Sequence, residues 1–248
     1  MSVATSVYSP TFRLCPSTPI NRRSRQAERS PIFSSSLLAP LAPVPIGLVR
    51  PPFAPSPPQA PRIPLLGYFG ARRVVKGFAR LPNAITAAAA RWSDVRAFIQ
   101  CYRHPQDESD PATESALAAL RAMPAVELLD TTLAPEDYQK WFDRCAAVLI
   151  PYDARHYRAG TSGIFVEAVA SGSAVLTTTG SWMAKEAKRF GLTRVFACDW
   201  TDYEATGALV VRALRIGLEP WRPTLGECDW IAAHAPAALL ARLVAERQ

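Results

Sequence analysis

Small turn residues and charged side chains occur together in this chain at spacings that suit an anion and a sugar. Residues 160–163 (Gly-Thr-Ser-Gly) precede a short apolar helix that contains Glu167. The first turn of such a helix presents backbone N–H groups without intrahelical partners, and its dipole favours an anion. Glu167 lies about one turn further on, where a carboxylate repels phosphate but accepts hydrogen bonds from a neutral diol such as a ribose. The pattern favours a nucleotide or nucleotide-sugar site.

The elements on either side place this segment at the end of a buried strand. Residues 147–150 form an apolar run that Pro151 closes, and a polar loop with Asp153, Arg155, His156 and Arg158 follows. Gly172 is expected to end the Glu167 helix, and residues 174–178 are predicted to form the next strand. A strand, a small-residue turn and a helix in this order are typical of an α/β sheet.

Three matches in this segment resemble a known signature. Ser162-Gly163, Glu167-Ala168 and Gly172 are similar to the nucleotide-sugar-binding signature of GT-B glycosyltransferases, most like the bacterial families 1 and 4. Upstream, residues 67–78 (GYFGARRVVKGF) resemble that family's first strand and the basic loop that grips the donor diphosphate. The two matches occur in the right order and cover the chain from about residue 61 to the C-terminus.

The resemblance implies a donor-binding role for eight residues. Glu167 matches the glutamate that holds the donor ribose, and the others match the diphosphate-binding segments. The implied donor-binding residues are Gly70, Arg72, Arg73, Lys76, Thr161, Ser162, Gly163 and Glu167. GT-B enzymes generally bind the diphosphate with basic residues and a helix end, so no metal and no cofactor is implied beyond the nucleotide-diphosphate sugar as substrate. Asp153 has no second acid two residues away, so a DxD metal motif is also missing from the sequence.

Plain structural interpretations of these residues stay open at this point. Lys76 and the two arginines are also consistent with a solvated loop, and Thr161 or Ser162 with simple helix capping. The chain departs from the family pattern at Ala159, where many family 4 members carry a second glutamate, and at Ala174, which replaces a proline. Ala71 stands where the family often has arginine.

The first 60 residues differ in composition from the rest. They contain six arginines and one acid, Glu28, so they supply +5 of the formal charge of +7. Of the 23 prolines, 14 lie at or before Pro64. Because proline removes a backbone donor and fixes φ, we predict a disordered Pro/Ser/Arg-rich extension over residues 1–60 and a donor-binding domain over residues 61–248. Deleting the extension is expected to leave the melting temperature unchanged; a drop of many degrees on thermal unfolding would contradict this.

The remaining chain alternates short apolar strands with helices. Strands are predicted at residues 63–69, 94–101, 125–129, 147–150, 174–178 and 194–197. Helices are predicted at 78–92, 112–123, 135–144, in the Glu167 segment, and at 182–190, 203–216 and 230–245. This alternation predicts an α/β fold with a single Rossmann-like, doubly wound parallel sheet, one half of a GT-B fold. Ligands bind such sheets at the carboxyl ends of the strands, and both of the matched loops begin at that end.

Net charge and cysteine content indicate the expected cellular environment of the protein and the kinds of partner it binds. Without the extension the formal charge is close to neutral, at +2, so no nucleic-acid-binding surface is indicated. Five widely spaced cysteines without a CxxC pair favour neither a zinc site nor a disulfide framework. We therefore expect a cytoplasmic protein without a transmembrane segment.

The leading hypothesis is the donor half of a glycosyltransferase that binds a nucleotide-diphosphate sugar for transfer to an unknown acceptor, either as a truncated gene product or with a partner that supplies the other half. A GT-B enzyme has a second domain for the acceptor and usually the catalytic base, and here the base is unknown and a separate acceptor-domain chain is a possible partner. The alternative is a non-catalytic nucleotide-sugar-binding module. A dinucleotide-dependent oxidoreductase is disfavoured because no GxGxxG motif follows the first strand. Tight binding of NAD, measured by calorimetry, would instead support an oxidoreductase.

Overall fold

The computed structural model describes residues 62–103, 110–235, 237, 238, 241 and 244. The predicted extension over residues 1–60 lies outside the described residues. The six strands are β1 (Ile63–Tyr68), β2 (Arg96–Gln100), β3 (Val126–Leu129), β4 (Cys145–Ile150), β5 (Ala174–Thr178) and β6 (Val195–Cys198). The helices are α1 (Leu81–Ala89), α2 (Pro111–Arg121), α3 (Pro135–Arg144), α4 (Gly163–Ala170), α5 (Trp182–Phe190), α6 (Tyr203–Leu218) and α7 (Leu225–Ala233).

All six strands pair in parallel, in the order β3-β2-β1-β4-β5-β6. This is the order of a doubly wound Rossmann sheet, and the predicted α/β fold class is confirmed. The order reverses between β1 and β4, so the connections that leave these two strands diverge and open a crevice at their carboxyl ends. Among the described residues, no helix has the length and apolar character that crossing a membrane requires.

Two hydrophobic cores lie on the two faces of the sheet, because neighbouring strand residues point in opposite directions. In β4, Ala147 and Leu149 belong to the core that includes α1, α2 and α6, whereas Val148 and Ile150 belong to the core that includes α3, α4, α5 and α7. Both faces of β4 are buried, which explains why this strand reads as an unbroken apolar run in the sequence.

Proline in the central strand β1 is accommodated by a change in strand register. Ile63 pairs with Cys145 but Leu66 pairs with Ala147, so β1 has one more residue than β4 over this interval. Pro64, which has no N–H to donate, lies in the irregular part, as expected for proline within a sheet.

Two arginines form hydrogen bonds at the amino-terminal ends of the strands, the end of the sheet opposite the crevice. The carbonyl oxygen of Gly172 accepts hydrogen bonds from Arg62 Nη1 at 2.8 Å and from Arg194 Nη1 at 3.0 Å. Burial, and next the nearby charge of Arg194, lowers the pKa of Arg62 to about 10. Gly172 has φ +71° and ends α4 one residue after its C-cap, Ser171, as the sequence predicted.

Two predicted helices have different starting points in the structure. The predicted helix at 78–92 begins with a 3-10 turn, Phe78–Arg80, and continues as α1, whose first turn accepts Pro82. The predicted start of the last helix at residue 230 is wrong, because α7 begins at Leu225. Thr224 and Glu227 form a capping box there, which satisfies the amides of the first turn.

Candidate functional site

The two sequence segments singled out above meet at the carboxyl edge of β1 and β4. The first segment follows β1 directly, and the second occupies the loop between β4 and α4. Because β1 and β4 are hydrogen-bonded neighbours at the point where the strand order reverses, the two loops face each other across the crevice. Crevices of this kind are the usual ligand sites of doubly wound sheets.

The loop after β1 folds back on its own first glycine. Gly70 has φ +125°, a conformation that other residues rarely adopt. A side chain built at Gly70 would place its Cβ 2.8 Å from Nζ of Lys76. The ammonium group therefore lies directly over the Gly70 backbone, and a glycine at position 70 leaves room for it. The structure thus brings together two of the predicted site residues.

Lys76 also joins the first loop to the second. Its Nζ lies 5.8 Å from the centroid of the Tyr152 ring, in cation–π geometry. The backbone amide of Asp153 donates to the carbonyl of Val75 at 2.9 Å, and Arg80 Nη1 donates to the carbonyl of Pro151 at 2.8 Å. These contacts fix the basic loop against the end of β4.

The two adjacent arginines have different surroundings. The backbone amide of Arg72 donates to Tyr102 at 3.1 Å, and its guanidinium donates to the Cys101 carbonyl at 3.3 Å and lies 3.8 Å from Glu114. The Arg72 side chain is largely buried and points to the end of β2 and the start of α2. Arg73 is exposed.

Arg73 instead lies beside the second loop. Burial raises the pKa of the Tyr157 hydroxyl, and the positive charge of Arg73 acts in the opposite direction. The charge of Arg73 therefore acts on Tyr157, whereas Arg72 contacts Cys101 and Tyr102, directly after β2. The sequence pattern predicts the same diphosphate-binding role for both arginines, but in the structure their surroundings differ.

The start of α4 is capped and open to solvent. The hydroxyl of Ser162 accepts from the amide of Phe165 at 3.3 Å, so Ser162 is the N-cap, and it also hydrogen-bonds to Tyr152. Thr161 and Gly163 are exposed, and no atom lies within 4 Å of a Cβ built at Gly163. The amides of Gly163 and Ile164 precede the first backbone bond of the helix, so α4 offers them no carbonyl partner.

Glu167 is half-buried on α4 and contacts a residue that sequence reasoning missed. The hydroxyl of Tyr138, on α3, donates a hydrogen bond to Oε2 of Glu167. The Tyr138 ring packs edge-on against Phe69, the residue between β1 and Gly70, with 5.2 Å between the ring centroids. Tyr138 and Glu167 are therefore neighbours of the basic loop. The only signal for Tyr138 in the sequence is its place in the apolar stripe of α3, with Trp141 and Phe142.

Solved structures resemble the described chain in fold. No protein-family model matches the sequence, and no curated protein matches it. An alpha,alpha-trehalose-phosphate synthase (UDP-forming) from Burkholderia vietnamiensis matches 75% of this chain and 45% of its own, with a TM-score of 0.57 at 12% identity. The corresponding enzyme from Burkholderia multivorans matches 75% of this chain and 42% of its own, with a TM-score of 0.58 at 12% identity.

A third match is the synthase from Burkholderia xenovorans in complex with glucose-6-phosphate. It matches 75% of this chain and 44% of its own, with a TM-score of 0.53 at 10% identity. The described chain has the fold of a GT-B glycosyltransferase domain. This chain spans less than half the length of these three enzymes.

Other titratable residues lie around the crevice or away from it. Hydrogen bonds from Arg155 lower the pKa of Asp153 to about 2, so this carboxylate stays ionised near neutral pH and is unsuited to act as a general acid. His156 is exposed, with Nδ1 3.6 Å from Asp153 Oδ2. His234 is buried at the end of α7 against Trp230, and His104 lies outside the described residues.

Metal ligands are not clustered in the part of the chain that the structure describes. Within residues 62–103 and 110–235, no three His, Cys, Asp or Glu side chains form a group that could hold a metal ion. Basic groups occur at the crevice together with the carboxylates of Asp153 and Glu167: Lys76 lies over Gly70, and the charge of Arg73 acts on Tyr157. Basic groups next to the exposed start of a helix suit an anionic ligand.

Proposed function

We propose that this chain is the donor-binding half of a glycosyltransferase and binds a nucleoside-diphosphate sugar in the crevice between β1 and β4. The observation that carries the proposal is the placement of Lys76, the start of α4 and Glu167 around one crevice, at the topological switch point of the sheet. The similarity in fold to a UDP-forming synthase makes a UDP-sugar the first donor to test.

The proposal divides the site into a diphosphate part and a ribose part. Lys76, Arg73 and the amides at Gly163 and Ile164 bind the diphosphate, because they supply positive charge and N–H donors. Thr161 lies at the same exposed turn, while Ser162 caps the helix. Glu167 accepts hydrogen bonds from the ribose hydroxyls.

Arg72 and Gly70 shape the loop in this proposal. The contacts of Arg72 with Cys101 and Glu114 hold the loop against β2, and the conformation of Gly70 leaves room for the ammonium of Lys76. Binding is proposed to need no metal, because basic groups and a helix end neutralise the diphosphate. Titrations with UDP in the presence and absence of EDTA check this point, since a cation requirement would lower the affinity in EDTA.

Transfer requires an acceptor site and usually a catalytic base, and we assign residues to neither. The proposal therefore includes a second domain, supplied by another chain or by further sequence. The competing function is a nucleotide-sugar-binding module without turnover.

Incubation of the chain with labelled UDP-, GDP- and ADP-sugars tests for turnover. Hydrolysis or transfer of the label supports a transferase, whereas saturable binding with intact donor is the result expected of the binding module and of a transferase half without its second domain. If none of these donors binds, both forms of the proposal fail.

Lys76→Ala is expected to weaken binding of pyrophosphate and UDP together by about tenfold, because it removes one charge-assisted contact to the diphosphate. Uridine, which has no phosphate, is expected to bind Lys76→Ala as it binds the wild type. Isothermal titration of the three ligands measures the effect. Lys188→Ala, which removes an exposed lysine in the last turn of α5, is the matched control. Equal losses with both variants would contradict a local role for Lys76.

A further inference from the structure

Tyr138 contacts both halves of the crevice. Its hydroxyl donates a hydrogen bond to Oε2 of Glu167 on α4, and its ring packs against Phe69 at the end of β1. The residue is half-buried, and no sequence motif marks it. These two contacts connect the proposed ribose acceptor with the strand that leads into the basic loop.

Packing of α3 holds the Tyr138 ring in place. Phe142, one turn further along α3, is buried and lies 5.5 Å from the Tyr138 ring centroid and 4.9 Å from that of Phe69. Trp141 stacks on Phe98 of β2, with 4.1 Å between the centroids and 10° between the ring planes. Because α3 is fixed to β1 and β2 through these aromatic contacts, the hydroxyl of Tyr138 is presented to Glu167 from a rigid support.

We infer that Tyr138 is a positioning residue that orients the Glu167 carboxylate toward the ribose diol of the nucleotide. The inference rests on the proposed function. An ionised carboxylate has about four acceptor sites, so one hydrogen bond from Tyr138 is compatible with two more from a diol. Glutamate loses side-chain rotamer freedom when it is held for binding, and a hydrogen bond already formed in the unliganded protein reduces that cost.

Tyr138→Phe in the full chain tests the inference, since it removes the hydroxyl and keeps the ring that packs on Phe69. The variant is titrated with UDP, with 2′,3′-dideoxy-UDP and with pyrophosphate. We expect affinity for UDP to fall about fivefold, with no change for the other two ligands, which lack the diol. Tyr203→Phe, at an exposed tyrosine of α6, is the matched control and is expected to change none of the three.

A merely structural role for Tyr138 predicts a different pattern, in which all three ligands weaken together and the melting temperature falls. An obstructing role, in which the hydroxyl blocks the carboxylate, predicts tighter UDP binding by Tyr138→Phe. Either result, or unchanged UDP affinity, would overturn the inference.

A double-mutant cycle separates failure of the inference from failure of the proposed function. If Tyr138 acts through Glu167, adding Tyr138→Phe to Glu167→Ala causes no further loss of UDP affinity. If Glu167→Ala weakens UDP binding but Tyr138→Phe has no effect, only the inference fails. If Glu167→Ala itself leaves UDP affinity unchanged, the proposed ribose site is wrong, and the inference falls with it.

Discussion

Glu167→Ala is expected to lower affinity for UDP about a hundredfold and to leave affinity for pyrophosphate nearly unchanged. The carboxylate is proposed to accept a hydrogen bond from each ribose hydroxyl, and each charge-assisted bond contributes about 1.5 kcal/mol. Losing both corresponds to a factor of about 100 in Kd. Pyrophosphate has no ribose and therefore does not contact Glu167. Isothermal titration of the wild type and the variant with both ligands measures the two effects side by side.

The matched control for this experiment is Glu204→Ala. Glu204 is also a helical glutamate, but its side chain is 83% exposed on α6 and pairs with Arg91. An exposed ion pair contributes at most about 1 kcal/mol to stability, so the control is expected to fold and to bind UDP as the wild type does. If Glu167 is only a surface acid, the two variants behave alike, and equal affinity of wild type and Glu167→Ala for UDP, GDP and ADP would remove the proposed ribose contact.

Gly77→Ala is expected to destabilise the protein by about 3 kcal/mol or more. Gly77 lies between the 3-10 turns Val74–Lys76 and Phe78–Arg80 and has φ +65°. A Cβ at this position would lie 1.9 Å from the carbonyl oxygen and 2.7 Å from the carbonyl carbon of Pro151. Left-handed backbone costs a non-glycine residue about 1–2 kcal/mol, and forcing apart two backbone segments adds about 1–3 kcal/mol.

Gly191→Ala isolates the backbone part of that cost. Gly191 ends α5 with φ +64°, nearly the same conformation, but nothing lies within 4 Å of a Cβ built there. This variant is expected to lose only about 1–2 kcal/mol. Urea unfolding of both variants gives the comparison. Similar losses for the two glycines would mean that the approach of Gly77 to Pro151 does not constrain the basic loop.

Local signals account for the parts of the fold that the sequence predicted to the residue. Helices α3 and α5 match their predicted bounds, 135–144 and 182–190, where a proline marks the start of α3 and α5 carries local signals at both ends. Pro135 suits the first helical position, Ser181 caps α5, and Gly191 ends it in the left-handed conformation. Strands β4 and β5 were predictable because they are apolar runs buried on both faces, whereas the edge strands β3 and β6 are only partly buried.

The start of α7 shows how a local signal is missed. Thr224 and Glu227 have the spacing of a capping box, but Gly226 lies between them, and the helix was predicted to begin at the later apolar residue Trp230. The structure explains why Gly226 is tolerated: a Cβ there would lie 1.9 Å from the carbonyl oxygen of Phe190. Close packing of α7 on the end of α5 therefore requires glycine within the first turn.

The candidate site was predictable only as far as topology determines it. Parallel strands bring the loops after β1 and β4 to one edge, so the approach of Lys76 to the second loop follows from the order of the elements. The different directions of Arg72 and Arg73 depend on the turn that starts at Gly70. The contact of Tyr138 with Glu167 joins residues 29 positions apart on different helices, and no spacing rule anticipates it.

Amide hydrogen exchange with and without a bound nucleotide tests the central claim most directly. The claim is that a nucleoside diphosphate binds in the crevice between β1 and β4. The full chain is measured with whichever of UDP, GDP and ADP binds most tightly. We predict slower exchange for the amides of residues 70–77 and 161–167, and unchanged exchange at the opposite edge, around Gly172 and Arg194. Protection confined to another surface, or no protection under saturating nucleotide, would contradict the claim.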